Sequence, residues 1–196
     1  MRTHRLLAAL AVIAISSAAC TQGRASPKPS PASTGPIVDA APYLCTFVPE
    51  QALRLVSGVA KALTEEAGGT KRDGECQTPD AYPNPLGVSW SQEHGKWTEK
   101  NLDHILEDRR KVFTKYNAVT LPAHLGEGMA VHLPYGPFTG QPYEVIAKFR
   151  CGDKKRMLIL NFAEFAEGRD AIKDMIELMR IAQKRYGELY GCTPGT

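Results

Sequence analysis

The apolar positions of this chain fall into two periods. Leu102, Ile105, Leu106, Arg109, Val112, Phe113 and Tyr116 follow at three- and four-residue steps. That spacing predicts an amphipathic helix, which Thr98 is placed to cap. Ile172, Met175, Ile176, Met179, Ala182, Tyr186 and Leu189 repeat it, predicting a last helix over 169–189 that Gly191 and Cys192 close. A shorter helix is expected over 49–56. Pro49 suits its first position, Glu50 its positive end, and Gly58 its stop, with Ala52, Leu53 and Val56 facing inward.

Other stretches alternate with period two. Leu86, Val88 and Trp90 share one face of a predicted strand, and 129–133 reads as another. The clearest hairpin joins 143–151 to 156–162 through Gly152-Asp-Lys-Lys155. Cys76 begins a strand or its edge, and Val119 and Leu121 suit a short one before Pro122. The stretch 67–74 reads as a charged, turn-rich connection, and the prolines of 78–85 break regular structure. Helix, strands, helix, strands, helix is an α+β order. The expected architecture is a curved, mainly antiparallel sheet with helices packed on it.

The first residues differ in kind. Arg2, His4 and Arg5 precede an apolar run, Leu6 to Ile15, that falls short of the about 20 residues a membrane span needs. Small residues follow, and the whole reads as an export signal. Ser17-Ala18-Ala19-Cys20 resembles a bacterial lipobox, with Ser17 where such boxes usually carry Leu. The resemblance implies cleavage before Cys20 and acylation of its thiol. Residues 1–19 are then the signal peptide and 20–36 a disordered tether rich in Pro and Ser. Residues 37–196 form a single domain.

Cysteines and charge narrow the setting. Cys45, Cys76, Cys151 and Cys192 are an even set outside the signal and read as two disulfides of an exported protein. Four cysteines allow three pairings. Cys45–Cys76 and Cys151–Cys192 are favoured, because each joins neighbours in sequence and neither crosses the other. Zinc is the competing use, though no C-x2-C spacing occurs. The full chain carries 24 basic and 21 acidic side chains. Removing Arg2 and Arg5 leaves 22 against 21, so the mature part is near neutral and gives no electrostatic case for nucleic acid.

Chemistry-bearing motifs are sparse. His94, His104, His124 and His132 form no metal-ligand pair, and no serine sits in a nucleophile elbow. Gly126 and Gly128 flank Glu127 as a turn, without the lysine of a phosphate loop. No cofactor, catalytic residue or metal ligand is assigned. Basic residues gather at Arg109, Arg110, Lys111 and Lys115, and again at Lys154, Lys155 and Arg156. Arg109 and Lys115 are candidates for contact with anionic lipid or wall polymer. Tyr135 and Phe138, in the Pro- and Gly-rich loop 133–143, are candidate anchors for a partner, or a lid folded on the core.

The lipobox, the Pro/Ser tether, Cys45 before a Pro-Glu helix, Cys76 before a strand, and Leu125-Gly-Glu-Gly-Met-Ala130 ahead of a hairpin resemble a group of uncharacterised actinobacterial envelope lipoproteins. Related lipoproteins are similar in fold to the PsbP protein of the photosystem oxygen-evolving complex and the Mog1 Ran-binding protein. The resemblance implies a sheet-and-helix sandwich at the outer face of the cytoplasmic membrane. The expected function is non-enzymatic binding of an envelope protein, lipid or wall polymer. The alternatives are a carrier of a small apolar or lipid ligand, or an enzyme with a dispersed site. Cys20→Ala is expected to abolish acylation and alter processing. Intact mass and membrane fractionation read both, and wild-type protein found soluble with an unmodified Cys20 would refute the anchor.

Overall fold

Two disulfide-tied ends close on an antiparallel sheet in a computed structural model that describes residues 35–79, 83–134 and 140–195. A two-strand hairpin comes first, β1 (Tyr43–Leu44) and β2 (Val48–Pro49), turning through Cys45 and Thr46 at positive φ. Helix α1 (Glu50–Ser57) follows. Pro49 stands one position earlier than expected, at the N-cap and without a side-chain capping bond, and Gly58 ends the helix in the left-handed conformation at φ 73°. Strands β3 (Glu66–Gly69), β4 (Gly74–Gln77) and β5 (Leu86–Gln92) come next. Helix α2 (Glu99–Phe113) is capped where the Thr98 N–H donates to Asn101 Oδ1 at 2.8 Å. Strands β6 (Val119–Thr120), β7 (Glu127–His132), β8 (Tyr143–Cys151) and β9 (Lys154–Phe162) lead to α3 (Ala171–Tyr190) and β10 (Pro194–Gly195).

The sheet order is β3-β4-β5-β9-β8-β7-β6, with β10 pairing the end of β8, and every described pairing is antiparallel. This is the expected α+β class. The helices divide between the faces. Cross-strand rows Cys76-Val88-Leu160-Val145-Ala130 and Trp90-Leu158-Ala147 lie on the first face. Against it α3 buries Met175, Leu178, Met179, Ala182 and Tyr186, and α1 adds Ala52, Leu53 and Val56. Phe47, fully buried, packs between Tyr186 and Trp90 with centroids 5.9 and 5.7 Å away. On the second face α2 buries Leu102, Leu106 and Phe113 against Met129, Val131, Ile146 and Met157.

Cys45 joins Cys76, and Cys151 joins Cys192, with Cα atoms 5.5 and 5.4 Å apart, the favoured pairing. The first ties the β1–β2 turn to β4. The second ties the tail after α3 to β8. Gly187 makes that closure fit, since a Cβ there would stand 2.4 Å from the Cys192 carbonyl and 2.7 Å from the Pro194 ring.

Some expectations shift. The stretch 67–74 holds the β3–β4 hairpin instead of a plain connection. Its fully exposed Glu-Ala-Gly-Gly carries no apolar alternation, so only the backbone ladder defines it. The β8–β9 turn tightens to Gly152-Asp153, with Gly152 at φ 67°, and the next two lysines enter β9. Val112 and Leu189, placed on inward faces by spacing, are exposed. Phe47→Ala is expected to cost about 3–5 kcal/mol. A calorimetric scan should show the midpoint fall by roughly ten degrees, and an unchanged midpoint would place Phe47 outside the load of the core.

Candidate functional site

The second face of the sheet changes character along each cross-strand row. One row reads Glu66-Gln77-Gly87-Asn161-Glu144-Val131 from β3 to β7. The next reads Gly68-Glu75-Ser89-Ile159-Ile146-Met129. Both are polar or small over β3–β5; the second turns apolar over β9–β7, whereas the first stays polar through Asn161 and Glu144 and turns apolar only at Val131. The apolar half lies under α2. Among the described residues the polar half carries no helix, and there the surface sinks into a trough of about 310 Å³.

Gly87 makes the floor. A Cβ at that position would stand 3.1 Å from Gln141 Oε1, so the missing side chain is what seats the Gln141 amide over the strand. Gln141 Nε2 donates to the Asn84 carbonyl at 2.8 Å, and Asn84 Nδ2 donates to Gln77 Oε1 at 2.9 Å. That chain builds one wall. The side chains of Asn161, Ser89, Glu66 and Glu75 make no hydrogen bond to another described residue, so their capacity faces the trough.

Two charged side chains inserted in the rows hold α2 beside the trough. Glu144, 1% exposed, receives Arg109 Nε at 2.9 Å. Lys148, 4% exposed, reaches Asp103, Glu127 at 2.9 Å and Glu99 at 3.5 Å. Burial opposes the Lys148 ammonium, yet hydrogen bonds to Asp103 and Glu127 hold its pKa above the ordinary value. At Glu144 burial prevails over the Arg109 charge and hydrogen bond, and its carboxyl sits above the usual range. The pairs stand near opposite ends of α2, since Glu99 and Asp103 open the helix and Arg109 lies in its later half. They fix it over β7–β9.

The expected contact residues do not converge. Cys20, Tyr135 and Phe138 lie outside the described residues. At the base of that loop the Leu133 N–H donates to the Pro142 carbonyl at 2.6 Å. Beside it His132 stacks on Tyr143 at 4.3 Å, and Tyr143 meets Phe165 edge-on. Arg109 turns inward to Glu144, whereas Lys115 is exposed in the turn after α2. Arg110 and Lys111 pair with Glu107 and Asp108 on their own helix, which neutralises the basic stretch. The hairpin cluster separates too. Strand alternation sends Lys155 toward Glu99 at 3.7 Å and buries Arg156 on the opposite face.

The histidines are dispersed. His94 Nδ1 lies 2.9 Å from the Gln92 carbonyl, His104 pairs with Asp108, and His124 borders a groove of about 700 Å³ between α3 and the turn before β7. Cys45, Glu65 and Cys76 come within ligand range of one another, but both thiols are spent in one disulfide. Glu65 instead accepts the Cys45 N–H at 2.5 Å. The zinc alternative therefore has no thiolates here.

The trough escaped the sequence reading because its residues come from separate stretches. One signal was present: Gly87 and Ser89 leave the second face of β5 without apolar side chains, while β8 is buried on both faces. No protein family model, curated protein or solved structure matches the chain.

The Arg109–Glu144 pair yields a pH-dependent expectation. Folding raises the Glu144 pKa, so its contribution to stability is fullest at low pH and is lost as pH rises through the folded value. Arg109→Met removes the charge that offsets this loss. It should cost about 3 kcal/mol at pH 8, where the buried carboxylate is left unpaired, and distinctly less at pH 5. Urea unfolding at both pH values measures the difference, and equal losses would remove Glu144 as the cause.

Proposed function

We propose that this chain is a lipid-anchored, extracytoplasmic binding module of the cell envelope, with its binding surface on the open half of the sheet. The observation that carries this reading is the uneven covering of the second face. Apolar rows end under α2, and a polar trough with unpaired hydrogen-bonding groups stands beside it. The buried polar groups support binding over chemistry. Six of the seven buried polar side chains among the described residues, Glu144, Lys148, Asp174, Gln183, Ser57 and Thr78, each hold one element to another or close a local turn, and they are spread through the fold.

The entry of the chain supports a tether. Residues 35–43 run beside α3. The Gly35 carbonyl accepts from Arg169 Nη1 at 3.3 Å, Asp39 pairs with Lys184 at 2.6 Å, and Tyr43 lies under the Arg185 guanidinium. Arg169 is itself held by Asp174 at 2.5 Å. This strap lies with α3 on the first face, and the trough lies on the second. At about 3.1 Å per residue, an extended tether of residues 20–34 would reach roughly 45 Å. That length favours contact with components beyond the lipid headgroups.

The test is a pull-down from detergent-solubilised envelope with the anchored full chain and a Glu75→Arg variant. Glu75 is exposed at the trough rim, so the variant should fold normally. The envelope component held by the wild type is expected to be lost. A component retained equally by the variant would refute the trough as the binding surface.

A further inference from the structure

The chemistry of the trough specifies a ligand class, and this step rests on the binding-module reading above. We propose that the trough binds an uncharged glycan. Four of its polar side chains, Gln77, Ser89, Gln141 and Asn161, are neutral and together offer both donors and acceptors. Glu66 and Glu75 stand at the β3–β4 side with free carboxylates, which accept hydrogen bonds from neighbouring hydroxyls. A sugar ring presents that mixed hydroxyl array. Gly68 matters for the same reason, because nothing lies within 4 Å of where its Cβ would stand and a flat, polar ring can approach β3 there, whereas over Gly87 the ring would meet the Gln141 amide.

Charge decides against two rivals. An anionic wall polymer would meet Glu66 and Glu75, while no lysine or arginine among the described residues lines the trough to offset them. A basic peptide would engage the two carboxylates at the rim but leave the carboxamides and the serine of floor and wall without partners, at a cost in affinity. The volume, about 310 Å³, suits one or two sugar residues of a longer chain.

The experiment titrates the full-length protein in detergent with oligomers of glucose, mannose, arabinose and N-acetylglucosamine. Oligogalacturonate serves as the polyanion and oligolysine as the basic peptide. Amide shifts in NMR locate the contact, and calorimetry measures it. At least one uncharged oligomer is expected to saturate the protein and shift Gly87, Ser89 and Asn161 while α3 stays still. Glu75→Gln and Asn161→Ala should each weaken that binding about ten-fold with unchanged spectra elsewhere. The proposal is overturned if no uncharged oligomer shifts these amides, if the shifts fall elsewhere, or if both variants bind as the wild type does. It is also overturned if oligogalacturonate or oligolysine binds as tightly. Fractionation of Cys20 variants is scored separately. An unacylated Cys20 would refute the anchor while leaving the titration result standing, and a failed titration would leave the anchor standing.

Discussion

A broad sheet has two faces, and the three helices among the described residues cannot cover both. Each apolar row left open to water would cost stability in proportion to its area, so the residues of an uncovered half must turn polar. Here α1 and α3 occupy the first face and α2 part of the second. The position of α2 thus decides which strands carry apolar residues on that side. The Arg109–Glu144 and Lys148 pairs hold it there, because a helix slid toward β5 would strand two charges in an apolar setting. Apolar packing alone would permit such sliding. The ion pairs give the arrangement one register, and the trough is the surface that register leaves over.

This ordering explains what could be read in advance. Helix faces and the central hairpin were legible because burial imposes a period, as at Leu102, Leu106 and Phe113 or along β8. The disulfide pairing was legible because both links join neighbouring segments. Strand β3 was hidden, since Ala67, Gly68 and Gly69 bury nothing. The β1–β2 turn was hidden because Cys45 and Thr46 adopt a backbone conformation that such residues rarely take. The basic clusters misled for a simple reason. Sequence proximity joins Lys154, Lys155 and Arg156, but a strand sends alternate side chains to opposite faces.

The site was least legible of all. Glu75, Ser89, Gln141 and Asn161 lie far apart in the chain and meet only through the β4-β5-β9 order and the loop before β8. A surface of this kind asks little of local sequence: a glycine on the floor, small or polar neighbours in register, and a helix that stops short. None of these forms a motif. The mixed donor and acceptor character, with two carboxylates on one side, emerges only once strands are placed side by side.

The strap beside α3 also has a mechanical meaning. Any pull arriving through residues before Gly35 enters the fold at the Arg169 contact and passes along 35–43 to Lys184 and Arg185. The strap can peel from α3 only as far as Cys45, where the disulfide hands the load to Cys76 in β4. From there the force runs into the neighbouring strands of the sheet. Such a pull therefore strips at most a short ribbon from one face, and the trough on the other keeps its shape.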